Sequence, residues 1–388
     1  MLYRKYRPQN FSEIVGQEHV VKTLQGALES GRVGHAYLFT GSRGTGKTSL
    51  ARIFAKALNC ADFSKMRESN FAEKSSVRRS LGEGGLPEPC NQCDSCLAAS
   101  QGNLLDLIEI DAASNRGIDE IRNLKDSALV AAPSGGFKVF IIDEVHMLTK
   151  DAFNALLKIL EEPPSHVVFI LATTEPHKIL PTVLSRVQRF DFKRLNQGQI
   201  SGKLGMMARK EGIKINEEAL KTIAMSADGA LRDAEVALSK IQACLPVGEA
   251  STDSTKAISV DEVNEMLGLV SYRYYPEFVS CLLGNDKTGA LDLIQKIYLS
   301  GADLENFTGH LVEYMRKILM AKINPVVLAS ISGINDEETK SILALGQNTD
   351  GQKLIRIIVS FSNARNEIKH SPVPQLPLEL AVIELCGT

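Results

Sequence analysis

The sequence predicts an α/β domain built on a doubly wound parallel sheet, followed by a small helical domain and a larger all-helical one. Three observations carry this. Short apolar runs alternate with helical stretches up to about residue 195, no strand pattern follows, and a small-polar stretch at Val247–Ala257 punctuates the helical part. The 388 residues leave room for two or three domains, and 44% hydrophobic with 23% charged residues is ordinary globular composition. That balance excludes a wholly disordered chain, a collagen-like chain and a simple coiled coil.

The expected strands are Ala36–Thr40, Leu107–Ile110, Val139–Ile142, Val167–Ala172 and the weaker Arg189–Phe192. The first four are near-continuous apolar runs, as parallel strands buried on both faces require. Between them lie helices such as Asp151–Glu162, whose Ala152, Phe153, Leu156, Leu157 and Leu160 share one face before Pro163 and Pro164 stop it. These elements give domains at 1–195, 196–246 and 259–388, with a linker at 247–258. Ser259 and Glu262 form a capping-box pattern that Gly268 is placed to close. Leu304, Phe307, Leu311, Val312, Met315, Ile318 and Leu319 make one apolar stripe, read as core, with subunit packing as the sharper reading. The stretch 65–88 is rich in charge, Ser and Gly, lacks periodicity and reads as a mobile insertion.

Charge and hydropathy bound the function. Lys+Arg 44 against Asp+Glu 46 gives a net charge of −2, so nucleic-acid contact must come from a local patch or an assembly. The longest apolar runs fall far short of a membrane span of about 18–20 residues. The N-terminus has no apolar signal region, so a cytoplasmic protein without membrane contact is expected. Of seven cysteines, Cys90, Cys93 and Cys96 are crowded, which points to metal rather than disulfide in a reducing compartment. Cys244, Cys281 and Cys386 are most simply core residues.

Gly41, Ser42, Arg43, Gly44, Thr45, Gly46, Lys47 and Thr48 match the G-x-x-x-x-G-K-[ST] phosphate loop in full, between a strand and the helical run Ser49–Leu58. Backbone N–H groups would curl around phosphates at a helix N-terminus. Lys47 would reach the β- and γ-phosphates of a nucleotide and the Thr48 hydroxyl would hold Mg²⁺. The strand Val139–Ile142 runs into Asp143 and Glu144, which fit a Mg²⁺-positioning carboxylate and a general base for the attacking water. A solvent-facing acidic pair is the plain alternative. Thr173 and Thr174 end the next strand at the ligand-binding edge, where Thr174 could bond water or the γ-phosphate. Arg232 stands at a helix start, where an anion beside it would offset the helix dipole. Arg186, by position alone, is a surface arginine.

Val139–His146, Leu171–Thr174, Leu184–Arg186 and Gly229–Ala234, with the phosphate loop, resemble the AAA+ ATPases of clamp loaders. Tyr3–Pro8, Val15–Gln17, Phe153–Pro164 and the Cys60/Cys90/Cys93/Cys96 set narrow the resemblance to the gamma/tau family of bacterial DNA polymerase III. It covers essentially the whole chain, most strongly 1–245. It implies an AAA+ P-loop NTPase domain, a lid and an oligomerising collar. It also implies an ATP-hydrolysing subunit that opens the sliding clamp and loads it onto primed DNA. Partners would be delta, delta-prime and further gamma/tau copies in a ring. Arg186 would be the arginine finger reaching a neighbour's ATP, Arg232 the sensor in cis, and Thr174 or Thr173 the first sensor. Tyr3, Arg7 and Pro8, with Val15 and Gly16, would line the adenine pocket.

The chain departs from the family at Val187, where Cys is usual, and in the long separation of Cys60 from Cys90. Set against the resemblance, the sequence is expected to stop after the collar, short of the extension that tau forms would carry. Cys60 supplies the fourth thiolate of a closed, structural Zn²⁺ site, with free or redox thiols as the alternative. Before the helix at Ile118, Ser114 and Asn115 are expected caps. That helix N-terminus with Arg116 beside it is a phosphate-binding arrangement, an ordinary capped helix being the alternative, and the resemblance would turn it, with Asn115 and Arg116, toward DNA. The rival readings are an ATP-binding scaffold without turnover and an AAA+ branch-migration helicase. No palm-type carboxylate set supports DNA polymerisation by this chain, whatever class name the holoenzyme carries.

Overall fold

The computed structural model describes residues 1–63, 86–133, 136–244, 257–325 and 336–387. The expected insertion therefore lies outside the described residues except for 86–88, and the linker except for 257–258. Five parallel strands, β1 (Ala36–Thr40), β2 (Leu107–Asp111), β3 (Lys138–Asp143), β4 (Val167–Thr173) and β5 (Gln188–Asp191), form one sheet. Its order is β2-β3-β4-β1-β5. Every residue of β1 and β4 is buried, whereas the edge strands β2 and β5 carry Glu109, Arg189 and Asp191 toward water.

Both faces of the sheet are covered. Tyr37 and Phe39 of β1 pack with Leu50 and Phe54 of the helix Lys47–Leu58. Leu38, between them, packs with Phe140, Phe169 and Leu156 of the helix Lys150–Glu161. Alternate residues of one apolar strand thus feed two cores, which is the doubly wound arrangement. Thr149 caps the second helix, its hydroxyl accepting from Ala152 N at 3.3 Å. β2 and β4 run one residue past their apolar limits at one end and β3 at both, because ladder hydrogen bonds use backbone, not side chain. β5 instead begins one residue early and stops before Phe192, whose N–H donates to Thr40 O at 2.7 Å.

The chain divides into two compact units, Met1–Gln199 with Asp228–Glu235, and Ile200–Ala227 with Val236–Thr388. The stretch Asp228–Glu235, which carries Arg232 in the first turn of the helix Leu231–Cys244, thereby belongs to the unit of the sheet. Within the second unit, Ser259 and Glu262 make the full capping box, and Gly268 closes that helix at φ 66°. The stripe on the helix Leu304–Ile323 is core: Leu304, Phe307, Leu311, Met315 and Ile318 are buried, and Val312 and Leu319 pack against them. Cys386 is buried and Cys281 half-buried, but Cys244 is exposed in the last turn of the helix Leu231–Cys244, correcting its assignment to a core.

Candidate functional site

β1 delivers the chain into the phosphate loop at Gly41. There φ is 148°, and a Cβ would lie 2.7 Å from the Phe192 carbonyl oxygen, so only glycine fits. Gly46, at φ 98°, turns the chain into a helix that starts at Lys47, two residues earlier than the sequence pattern suggests. Lys47 is buried to 6% exposure, and its Nζ donates to Gly41 O at 2.8 Å and Ser42 O at 2.9 Å. Burial pushes its ammonium below the usual lysine range, with Glu144 and Asp143 pulling the other way.

Two strands away, β3 ends in the acidic pair. Thr48 Oγ1 donates to Asp143 Oδ2 at 2.8 Å, so the two expected Mg²⁺-holding groups share one place. Glu144 has φ 48° and ψ 45°, a left-handed backbone costly for a residue with a Cβ. That bend turns its carboxylate to the end of β4. Thr174 donates to Glu144 Oε2 from its backbone N at 3.2 Å and its hydroxyl at 2.9 Å.

Thr173 points elsewhere. It is fully buried, its hydroxyl accepts from Glu175 N at 3.0 Å, and it meets His146 Nδ1 at 2.9 Å. His146 in turn places Nδ1 3.4 Å from Glu144 Oε2 and Nε2 3.2 Å from Glu175 Oε1. The Lys178 ammonium, bonded to Glu175 at 2.8 Å, holds that carboxyl below its usual range. His146 was visible in the sequence only through its strings, Val139–His146 and His146–Leu148, with no role attached.

A cleft of about 460 Å³ joins Tyr3, Arg7, Pro8 and Val15 to Arg43–Ser49, Asp143, Glu144 and Arg232. Gly41 and Ser42 are not on its wall but hold Lys47 through their carbonyls. Gly16 stands behind the wall, where a Cβ would meet Leu195 Cδ2 at 2.3 Å. The Arg232 guanidinium lies 5.2 Å from the centre of the Tyr3 ring. A hydrogen bond from Arg4, then the charges of Arg4 and Arg232, keep the Tyr3 phenol below its usual range.

Glu13, Leu195 and Glu235 also line the cleft and escaped the sequence reading, since each is set by tertiary approach rather than spacing. Gln17 escaped it as well. Fully buried, it donates to Lys193 O at 2.7 Å and accepts from Lys193 N at 3.1 Å, tying the N-terminal segment to the exit of β5. Its place in the Val15–Gln17 string was the one available signal.

Arg186 sits at the opposite edge of the sheet. Its carbonyl meets the ring of His35, the residue before β1, at 3.1 Å, and its guanidinium pairs with Glu161 at 2.8 Å. A five-residue strand of roughly 17 Å separates that edge from the phosphate loop, so Arg186 cannot serve its own cleft.

Past β2, Asp111 organises the turn. Its carboxylate accepts from Ala113 N and the Ser114 hydroxyl, and its carbonyl from Asn115 Nδ2 at 3.2 Å. Arg116 Nε donates to Ala113 O at 2.8 Å. The expected Ser114 and Asn115 caps are corrected: Gly117 is the N-cap of the helix Ile118–Leu129, without a side-chain bond, because Asp111 engages both side chains first. Asn115 and Arg116 are drawn into this turn, while Asp111 and Ala113 border the cleft.

The sulfur atoms of Cys60, Cys90, Cys93 and Cys96 all lie within 4.8 Å of one another, with Cys90 and Cys96 at 3.9 Å. Tetrahedral zinc with Zn–S of about 2.3 Å needs sulfurs about 3.8 Å apart, so the donor set fits it. A hydrogen bond from Cys96 draws the Cys60 thiol below its usual range, while the Cys96 thiol is pushed up. None of the four is in a disulfide.

Two family models match this chain: "DNA polymerase III, delta subunit" over residues 16–196 and "DNA polymerase III subunits gamma and tau domain III" over 258–388. The chain is 39% identical to the Bacillus subtilis DNA polymerase III subunit tau, covering 100% of this chain and 63% of that protein. It is 35% identical to subunit tau of Escherichia coli, over 99% of this chain and 54% of the relative. With DNA polymerase III subunit gamma of Buchnera aphidicola it shares 33% identity over 99% of this chain and 98% of the relative. The chain thus spans a little over half to under two thirds of these tau relatives, and almost all of the gamma relative.

Proposed function

The chain belongs to the DNA polymerase III gamma/tau family, and from that premise we propose that it is the ATP-hydrolysing motor subunit of a bacterial replicative clamp loader. One observation carries the proposal: Lys47, Thr48, Asp143 and Glu144 border a single cleft, and Thr174 grips Glu144 from behind. A scaffold that only held nucleotide would need no oriented base.

In this reading Arg43–Ser49 cradle the phosphates and Lys47 exchanges its two carbonyl partners for phosphate oxygens. Thr48 and Asp143 would hold Mg²⁺, which when bound neutralises phosphate charge as the bond to the leaving oxygen breaks. Glu144 takes the proton of the attacking water, with Thr174 setting the direction of the carboxylate. Tyr3, Arg7, Pro8 and Val15, with Gly16 behind them, form the adenine side, and Arg232 approaches the γ-phosphate in cis. Arg186 acts on the cleft of the next subunit, which accords with its place at the far edge of the sheet. An arginine supplied in trans is worth roughly a thousandfold or more in rate in related NTPases, so turnover would depend on assembly.

The remaining parts follow the family. Residues 196–246 would be the lid and 259–388 the collar that joins delta, delta-prime and further gamma/tau copies. Asn115 and Arg116 would face primed DNA inside the ring, and a structural Zn²⁺ would occupy the four cysteines. No helix among the described residues is long and apolar enough to cross a membrane, and a cytoplasmic place beside the chromosome suits the partners proposed. The test is ATP turnover and clamp loading by the reconstituted ring, with and without primed circular DNA. A ring that binds ATP yet never hydrolyses it would favour the scaffold reading. DNA migration without any clamp would favour the helicase.

A further inference from the structure

The cysteine module does more than stabilise its own loop. We propose that it is a buttress for the segment Arg7–Val15, which lines the cleft opposite the phosphate loop, so that metal held by the cysteines sets ATP affinity from a distance. The proposal rests on the ATP reading above and adds a role for residues that the reading leaves idle.

The connections are direct. Asn91, between the ligands Cys90 and Cys93, has a left-handed backbone at φ 58°. Its Nδ2 donates to Asn10 Oδ1, and its Oδ1 accepts from Lys56 Nζ at 2.6 Å. Glu88, two residues before Cys90, accepts from Phe11 N at 2.8 Å and Ser12 N at 2.9 Å. Pro87 O accepts from Gln25 Nε2 at 3.0 Å. Glu88 and Asn91 are therefore fastened to residues 10–12, and Pro87 to Gln25.

Lys56 is the joint. It is buried to 3% exposure on the helix that begins in the phosphate loop and ends just before Cys60. Besides Asn91, its ammonium donates to Gln9 Oε1 at 2.8 Å and to Ser100 Oγ at 3.1 Å. Ser100 lies on the helix Asp94–Gln101, which also carries Cys96. A buried ammonium must keep its acceptors. Its three come from separate stretches of chain, and two of those are brought to it by the cysteine cluster. Gln9 passes the constraint on: its Nε2 donates to Arg7 O at 3.2 Å and its N–H to Glu13 Oε2 at 2.7 Å. Arg7 and Glu13 face the cleft.

The test uses the full-length chain with its zinc, and two probes: MgATP and inorganic tripolyphosphate, each titrated by calorimetry. Tripolyphosphate needs the phosphate loop only, whereas ATP also needs Arg7–Val15. Asn91→Ala and the milder Glu88→Gln should weaken ATP binding about tenfold and about threefold, leave tripolyphosphate within twofold, and keep zinc stoichiometry. Stripping zinc from the wild type with a chelator should give the same split. ATP affinity unmoved by both variants or by chelation would overturn the proposal, as would equal weakening of both probes. If Asn91→Ala loses its zinc or its fold, Glu88→Gln decides alone. A wild type that binds neither probe would instead sink the ATP reading itself.

Discussion

Thr174 holds Glu144 twice: its backbone N–H and its hydroxyl both donate to the same carboxylate oxygen, at 3.2 and 2.9 Å. The second carboxylate oxygen takes no part in that grip. The proposed base role of Glu144 makes turnover sensitive to both partners, and unequally. Glu144→Gln should keep nucleotide binding and lower turnover by roughly 10²–10⁴, the range for loss of a general base. Thr174→Ala removes the hydroxyl but keeps the N–H, so turnover should fall about tenfold with nucleotide affinity unchanged. Single-turnover hydrolysis beside equilibrium binding separates the two quantities.

Lys47 carries its charge in a buried place, held by Gly41 O and Ser42 O. Lys47→Ala should abolish detectable nucleotide binding, a loss of about a hundredfold or more for a desolvated charge on phosphate. Thermal unfolding should move little, because the substitution also removes a costly buried ammonium. Binding by calorimetry and melting by circular dichroism check the two halves of this expectation.

Arg186 pairs with Glu161 in partial contact with water, at side-chain exposures of 33% and 51%. Such a pair contributes only about 0–1 kcal/mol, so Arg186→Ala should fold and bind nucleotide as the wild type does. DNA-stimulated turnover in the assembled ring should fall about a thousandfold or more. Mixed rings decide the direction of action: the variant should silence the neighbour's cleft rather than its own. Full turnover by rings built from the variant would refute action in trans.

Gly41 has room for no side chain, with the Phe192 carbonyl oxygen 2.7 Å from where a Cβ would sit. Gly41→Ala should cost about 1–3 kcal/mol through backbone strain and displacement of β5's exit. It should also weaken ATP, because the Gly41 carbonyl is one of the two that seat Lys47. Denaturant unfolding and nucleotide titration report these effects separately. A variant as stable as the wild type would show that Phe192 yields freely.

Local pattern made much of this legible. The apolar runs of β1, β3 and β4 and the eight-residue phosphate loop encode both the buried centre of the sheet and the turn at its end. The crowding of Cys90, Cys93 and Cys96 likewise announces a shared site. These signals survive in sequence because a strand's burial and a tight turn's glycines are demands met within a few adjacent residues.

Partnership across the fold was decided only in three dimensions. Glu144 bonds Thr174 while Thr173 turns to His146 and the Glu175 N–H, because successive residues face opposite ways where β4 ends and the left-handed backbone of Glu144 aims its carboxylate at Thr174. Asn115 answers to Asp111 rather than to a helix end, since a nearby carbonyl competes for its amide. Glu13, Leu195 and Lys56 acquire their roles from segments tens of residues away. Packing creates those neighbours, and no spacing along the chain records them.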